Sequence, residues 1–204
     1  PIYGININEN CGTQHTETLA QTVVDSNAHF GIAVDGDGDR IILVDDKGLE
    51  IDGDQLICFL AQYLKKHNQL KNNTVITTEW SNLGLGNYLK NNDFIYDKSK
   101  VGERYVIDLM NEKEAVLGGE LVGHIVLSQY AKSGDGAICA LIISLAYLED
   151  GRMMDEIFPI FTPYPCVIEN IRFSNNEFMR QSVEYDDVKE ALKKAKDDLG
   201  NDSN

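Results

Sequence analysis

Residues 29–45 read HFGIAVDGDGDRIILVD, two apolar segments separated by an acidic, glycine-rich hexapeptide. Each apolar segment has the length and composition of a buried strand, so the stretch predicts strand, loop and strand. We expect the loop at the carboxyl edge of a sheet, where α/β proteins place their ligand sites. Downstream, Asp52-Gly53-Asp54 carries carboxylates that suit the N-terminus of a helix predicted over residues 55–66.

Strand and helix patterns alternate along the rest of the chain. We predict strands over residues 4–8, 73–78, 94–96, 115–117, 124–127 and 167–173, and helices over residues 16–27, 83–90, 101–111, 134–149 and 185–199. This alternation indicates an α/β fold with mixed sheets flanked by helices.

A domain boundary is expected near Ile51. It separates a partial first unit, residues 1–50, from a second unit, residues 51–173, of a common domain size. The last helix, within residues 174–204, is typical of a connector to a following domain. The chain starts at Pro1 and ends in a polar segment, so both ends are predicted to be cuts in a longer protein.

The charge of the chain limits its partners. A net charge of −15, from 18 basic and 33 acidic residues, argues against nucleic acid and anionic membranes. A phosphorylated ligand would therefore need a metal or well-placed cations. No apolar run is long enough to span a bilayer, and no signal-peptide pattern is found. The four cysteines are far apart, which favours free thiols in a reducing compartment.

The acidic loop places Asp35, Asp37 and Asp39 at alternate positions, separated by glycine. Glycine lets the backbone curl so that the three carboxylates converge, and converged carboxylates favour a hard cation such as Mg²⁺ or Ca²⁺. An EF-hand is disfavoured, because Arg40 and Asp46 stand where that loop needs glycine and glutamate. A solvated acidic turn is the alternative. Arg40 adds a cation suited to phosphate.

Two further loops carry polar groups. Residues 118–124 form a glycine-rich connection that presents Glu120 and His124, which could bind sugar hydroxyls or move a proton. A plain hairpin is the alternative reading. Residues 98–104 bring three cations to a helix N-terminus, a position favourable to anions, although a surface charge run is also possible.

Taken in order, these motifs resemble the α-D-phosphohexomutases, and among them the phosphoglucosamine mutases most closely. The resemblance runs from Gly4 to about Phe173. It rests on GININ with Cys11-Gly12, on DGDGDR at 35–40, DGD at 52–54, SNLG at 81–84, KVGERYV at 100–106, GGE at 118–120, Gly123-His124 and GDG at 134–136.

The resemblance implies a four-domain enzyme with a central cleft, in which a phosphoserine of the first domain gives its phosphoryl group to a sugar phosphate. A bisphosphate intermediate then reorients and rephosphorylates the serine. Asp35, Asp37 and Asp39 would hold Mg²⁺. The catalytic residues would be Arg40 and Lys100. The residues that bind a phosphorylated hexosamine would be Ser81, Asn82, Glu103, Arg104, Glu120 and His124.

The same resemblance assigns the parts of the chain. Residues 1–50 would be the end of domain two, residues 51–173 domain three, and residues 174–204 the connector to domain four. The chain contains neither a Ser-His-Asn-Pro phosphoserine loop nor an Arg-x-Ser-Gly-Thr-Glu phosphate loop, so domains one and four would be its missing partners. Alone, it is predicted to be inactive.

Three positions differ from the usual family residues: Val122 replaces a serine of the sugar loop, Glu103 an aspartate and Trp80 a methionine. One alternative is therefore a phosphomannomutase or phosphoglucomutase fragment. Another is a non-catalytic remnant that binds Mg²⁺ or a sugar phosphate. A phosphoglucosamine mutase would supply amino sugars for bacterial cell-wall precursors in the cytoplasm.

Overall fold

The computed structural model describes residues 5–166 and 184–199. The chain divides into two compact units, Pro1–Pro163 and Tyr164–Asn204. Within the described residues of the second unit there is one helix, α7 (Asp186–Leu199), which confirms the helix predicted there. The strand predicted near residues 167–173 lies outside the described residues.

The first unit begins with helix α1 (Glu17–Ser26) and a small antiparallel sheet. The sheet consists of β1 (Phe30–Val34), β2 (Ile41–Asp45) and β3 (Glu50–Ile51). Val34 pairs with Ile41, so the acidic loop is the tip of a β1–β2 hairpin. The expectation that this loop lies at the carboxyl edge of a sheet is therefore wrong, because the antiparallel strands β1 and β2 have no common carboxyl edge.

The rest of the first unit alternates helices and strands as the sequence predicts. Its elements are α2 (Gly53–Lys66), β4 (Thr74–Thr78), α3 (Leu83–Asn91), β5 (Ile95–Ser99), α4 (Glu103–Lys113), β6 (Leu117–Gly119), β7 (Ile125–Leu127), α5 (Gly136–Asp150) and α6 (Met154–Ile157). The strand order is β5-β4-β6-β7, with β4 parallel to β5 and β6, and β7 antiparallel to β6. This mixed sheet confirms the predicted α/β class.

Helix α2 lies at the centre of the core. Asp52 caps it by accepting a hydrogen bond from the Gln55 backbone N–H at 2.9 Å, as the sequence predicted for one of the opening carboxylates. The apolar face of α2 packs in one cluster with residues of both sheets, including Ile41 and Leu117. The core is thus continuous across residue 51. The division of the chain into domains at that position stays a prediction.

The structure corrects two local predictions and adds one element that the sequence did not predict. Residues 5–8 form turns rather than a strand, because Asn6 and Asn8 have φ angles of 64° and 56°, outside the extended region. Strand β1 is buried on one face only, with Ile32 and Val34 on the exposed face. Helix α6 was not predicted, since one turn is too short to show helical periodicity.

Candidate functional site

The three aspartates of the hairpin tip do converge. Each of Asp35, Asp37 and Asp39 offers a carboxylate oxygen, and these atoms lie within 4.8 Å of one another. All the donors are hard oxygen atoms, which fit Mg²⁺ better than a softer transition metal. The donor set therefore fits the predicted ion.

Arg40 fixes one side of this cluster. Its Nε donates to Asp35 Oδ2 at 2.6 Å and its backbone N–H donates to Asp35 Oδ1 at 3.2 Å. Burial opposes ionisation of Asp35, but the hydrogen bonds from Arg40 outweigh it and hold the pKa of that carboxyl below its usual range. Asp35 is therefore an anion at neutral pH, and Arg40 has a fixed orientation.

Asp39 has a different environment, although it belongs to the same loop. Burial and the neighbouring charge of Asp35 raise the pKa of Asp39 above its usual range. A divalent cation between these two carboxylates would offset that repulsion and favour the ionised form of Asp39. The electrostatics of the loop thus favour a bound cation.

The sugar loop predicted at residues 118–124 joins β6 to β7 and meets the acidic loop directly. Arg40 and His124 form an isolated antiparallel bridge, and the Ile41 N–H donates to the Gly123 carbonyl at 3.0 Å. These backbone contacts hold the acidic loop of the first sheet against the turn of the second. Two loops that are far apart in sequence thereby form one surface.

His124 lies at the junction of the two loops. It is 5% exposed, and its Nε2 lies 3.4 Å from Asp39 Oδ2 and 3.5 Å from Glu103 Oε1. Glu103 in turn accepts a hydrogen bond from the Gly134 N–H at 3.0 Å. The imidazole of His124 therefore lies between carboxylates of two other segments, and its role with sugar hydroxyls or protons stays a prediction.

Glu120 is oriented by a backbone contact. Its Oε1 accepts a hydrogen bond from the Gly102 N–H at 2.9 Å, which ties the sugar loop to the segment before α4. Lys100 lies in that same segment, two residues before Gly102, and is exposed. Glu120 and Lys100 are therefore brought to one edge of the sheet.

Three predicted substrate-binding residues make contacts within the chain itself. Ser81 is fully buried, and its side chain stabilises the ionised form of the Asp54 carboxyl. Arg104 has a side chain that is 88% exposed and lies 3.8 Å from Asp108, one turn along α4. Asn82 caps α3 by accepting a hydrogen bond from the Gly84 N–H at 2.9 Å. Direct contacts of all three with a substrate stay predictions.

Comparison with known proteins gives the family. Residues 52–164, more than half of the chain, match the model of the phosphoglucomutase/phosphomannomutase alpha/beta/alpha domain III. The chain belongs to the phosphoglucomutase/phosphomannomutase family. Its resemblance to the phosphohexomutases, inferred above from the motifs, is confirmed.

Curated relatives of this phosphohexomutase chain include bacterial phosphoglucosamine mutases. It is 39% identical over 197 residues to that of Gluconacetobacter diazotrophicus, covering 97% of the chain and 43% of the relative. It is 43% identical over 172 residues to that of Nautilia profundicola, covering 84% of the chain and 39% of the relative. The chain therefore spans less than half the length of these relatives.

Solved structures similar to the phosphohexomutase chain support the fold. A putative phosphomannomutase from Thermus thermophilus aligns with 70% of the chain and 32% of its own length, with a TM-score of 0.64 and 18% identity. N-acetylphosphoglucosamine mutase from Aspergillus fumigatus, in complex with GlcNAc-6P and magnesium, aligns with 78% of the chain and 38% of its own length, with a TM-score of 0.60 and 18% identity. Both likenesses concern the fold alone.

The sequence did not identify one buried acid of this phosphohexomutase chain as part of the site. Asp54 was interpreted, together with Asp52, as an acid at a helix N-terminus, but its carboxyl is fully buried and accepts the Asn82 N–H at 2.6 Å. The close packing of Gly134 was also missed, since a Cβ there would lie 2.5 Å from His124 Nε2. Both contacts are long-range, and the sequence signals available for them were the motifs DGD at 52–54 and GDG at 134–136.

Among residues 5–166 and 184–199, no helix combines the length and the apolar character that crossing a bilayer requires.

Proposed function

We propose that the chain is part of a magnesium-dependent phosphoglucosamine mutase, which interconverts glucosamine 6-phosphate and glucosamine 1-phosphate through a phosphoserine and a bisphosphate intermediate. One observation carries the proposal: the Arg40–His124 bridge joins the acidic loop at residues 35–40 and the sugar loop at residues 118–124 into one surface. The identity of about 40% to bacterial phosphoglucosamine mutases supports the choice of sugar.

Each side chain of this surface has a role that follows from its environment. Asp35, Asp37 and Asp39 would hold Mg²⁺, which when bound neutralises charge on a transferring phosphoryl group. Arg40, oriented by Asp35, would contact phosphate, and Lys100 would contact phosphate or assist proton transfer. His124 would hold or move a proton between the two loops.

The sugar would be recognised by the edge that carries Glu120. Its carboxylate is oriented by the Gly102 N–H, so its remaining lone pairs can accept hydrogen bonds from sugar hydroxyls. Ser81, Asn82, Glu103 and Arg104 complete the proposed substrate-binding set. In that scheme Glu103 acts partly through His124, which lies 3.5 Å away.

The remaining partners are proposed to be domains one and four of the same enzyme, with residues 1–50 belonging to domain two, 51–173 to domain three and 174–204 to the connector. An exposed apolar face fits this proposal. Leu141, Leu145 and Leu148 of α5 are 71%, 46% and 74% exposed, and α5 packs beside β1, whose Ile32 and Val34 are also exposed. Apolar surface of this kind usually marks an interface.

The relatives are bacterial, so we expect the whole enzyme to act in the cytoplasm.

The metal assignment is tested on this chain by calorimetry with Mg²⁺. Asp37→Asn, an exposed member of the loop, should weaken binding, and the matched change Asp25→Asn on α1 should leave it unaltered. Equal affinities of the two variants would contradict the metal assignment.

The enzymatic assignment is tested by adding the missing parts to this chain as separately produced pieces: the serine-bearing first domain together with the start of domain two, and the fourth domain. Turnover is then measured with glucosamine 6-phosphate, glucose 6-phosphate and mannose 6-phosphate. Preference for the amino sugar supports the proposal. Preference for glucose or mannose favours a phosphoglucomutase or phosphomannomutase, and association without turnover favours a non-catalytic remnant.

A further inference from the structure

Asp54 is a buried carboxyl to which neither the proposed metal site nor the proposed sugar contacts assign a role. It lies in the first turn of α2 and is 0% exposed. Its Oδ2 accepts a hydrogen bond from the Asn82 backbone N–H at 2.6 Å, a short distance that indicates a strong, charge-assisted bond. Burying a carboxyl is costly, so such a group needs a reason to be there.

The partner of Asp54 is the turn at residues 79–82, which follows β4. Two more backbone bonds fix this turn: the Glu79 N–H donates to the Ser99 carbonyl at 3.0 Å, and the Ser81 N–H donates to the Thr78 carbonyl at 3.1 Å. These backbone bonds and the bond to Asp54 tie the turn to α2, β4 and β5. The Asp54 carboxylate is a side-chain acceptor for a backbone N–H of the turn, and the Ser81 side chain of the turn also interacts with that carboxylate.

The turn lies at the functional edge of the sheet. Strands β4, β5 and β6 are parallel, so the segments that follow them emerge at the same edge. Those segments contain Trp80 after β4, Lys100 after β5 and Glu120 after β6. Trp80 is 67% exposed on the fixed turn. An exposed indole on a rigid turn can stack on a sugar ring or contact an ammonium group.

Several charged groups face Asp54 from the elements packed around it. Burial is the largest influence and raises the pKa of Asp54, as does the Asp52 charge on α2. The Asn82 N–H, the Ser81 side chain of the turn and the Lys98 ammonium of β5 lower it, and the net effect raises the pKa of Asp54 to about 7. In turn Asp54 acts on Cys58 of α2 and on Tyr96 of β5. The Lys98 charge is itself attracted by Glu79 of the turn.

We propose that Asp54 is a positioning residue that fixes the 79–82 turn and thereby the place of Trp80 at the sugar-binding edge of the site. The bond from the Asn82 N–H strengthens when Asp54 is ionised and weakens when it is protonated. The turn is accordingly held more firmly above neutral pH than below it. That the ligand of Trp80 is an amino-sugar phosphate rests on the proposed function. The positioning of the turn by Asp54 rests on the bond between Asp54 and the Asn82 N–H.

Trp80 is the only tryptophan in the sequence, so its fluorescence reports on this turn in the present chain without any ligand. We compare the wild type with Asp54→Ala, which removes the acceptor, and Asp54→Asn, which keeps an acceptor of the same shape but cannot ionise. Asp108→Asn, an exposed change on α4, is the control. Circular dichroism verifies that each variant is folded.

Asp54→Ala should increase quenching of Trp80 by acrylamide, and Asp54→Asn should restore most of the protection. The wild-type emission should change with pH with a midpoint near 7, which is absent in Asp54→Asn and kept in the control. A folded Asp54→Ala variant with wild-type quenching, or an Asp54→Asn variant that keeps the wild-type transition, would overturn the proposal. If Asp54→Ala does not fold, the pH comparison decides alone.

In the reassembled enzyme, Asp54→Ala should raise KM for the sugar phosphate by about tenfold with a smaller effect on kcat, since it removes one charged hydrogen bond that orders the binding edge. An unchanged KM would contradict the positioning role. If the reassembled wild type shows no mutase activity, the proposed function is refuted, but the fluorescence result still tests the positioning role of Asp54. Failure of the function and failure of the positioning role are therefore distinguishable.

Discussion

Substituting Gly123 should damage the junction between the acidic loop and the loop at residues 118–124 more than a comparable substitution elsewhere. Gly123 has a φ angle of +88°, where a residue with a side chain costs about 1–2 kcal/mol. A Cβ at this position would overlap the carbonyl oxygen of Ile41 and lie 2.9 Å from the carbonyl carbon. The obstacle is backbone, so no side-chain rotation relieves it.

The relief must come from separation of the two loops. That separation breaks the bond from the Ile41 N–H to the Gly123 carbonyl, 3.0 Å in length, in a region where Ile41 is fully buried. A buried backbone group left without a partner costs about 1–3 kcal/mol. Together with the φ strain, Gly123→Ala should lower the free energy of unfolding by about 4 kcal/mol.

Gly151→Ala is the matched control. Gly151 ends α5 with a φ angle of +79°, and a Cβ there would have no neighbouring heavy atom within 4 Å. It should therefore cost only the φ strain, about 1–2 kcal/mol. Both variants are compared with the wild type by urea unfolding, followed by far-UV circular dichroism. Equal losses of stability would refute the argument that the loop junction is a close backbone contact.

Three further predictions concern burial. The pKa of Asp54 is raised from its ordinary value of 3.8 to about 7 in the folded chain, so its contribution to stability should fall by about 4 kcal/mol as pH rises from about 4 to 7 and then level off. Asp54→Asn should abolish that slope in urea unfolding measured at several pH values; an unchanged slope would exclude Asp54 as its source. Gln55→Ala should cost about 2–4 kcal/mol, because the Gln55 amide pairs with the Phe161 carbonyl at 3.0 Å and the Ile160 N–H at 2.8 Å; a loss below 1 kcal/mol by the same assay would contradict this. In the folded chain, Cys58 and Cys139 should react slowly with a maleimide, because burial raises the pKa of both thiols. The exposed Cys11 and Cys166 should react quickly. Mass spectrometry of the labelled peptides checks this order, and rapid labelling of Cys58 or Cys139 would contradict it.

The alternation of strands and helices could be predicted because its signal is local. Helix α3, predicted over residues 83–90, is found at Leu83–Asn91, and β2 has the predicted bounds Ile41–Asp45. The prediction of a strand at residues 5–8 was wrong, because a strand also needs a second strand to pair with and sequence periodicity does not reveal one. Asparagine tolerates left-handed backbone, so Ile-Asn alternation fits a chain of turns equally well.

In the candidate site, too, the local features could be predicted from the sequence and the long-range contacts could not. The convergence of Asp35, Asp37 and Asp39 was predictable, because the three carboxylates belong to one short loop and no other part of the chain is needed to bring them together. The burial of Asp54 was not, because it depends on a turn that follows a different strand. The position of His124 between Asp39 and Glu103 likewise results from three segments that meet only in the folded chain.

The segments around the site are joined mainly through peptide groups, and this affects how the protein can evolve. Amide-to-carbonyl bonds connect Gly136 to Gly38, Gly53 to Leu121, and Ile41 to Gly123. A bond of this kind survives a change of side chain, so Leu121 and Val122 can vary without displacing the acidic loop. Exchange of side chains at the tip can accordingly change the chemistry that this surface presents, while the backbone scaffold that aligns the two loops is inherited unchanged.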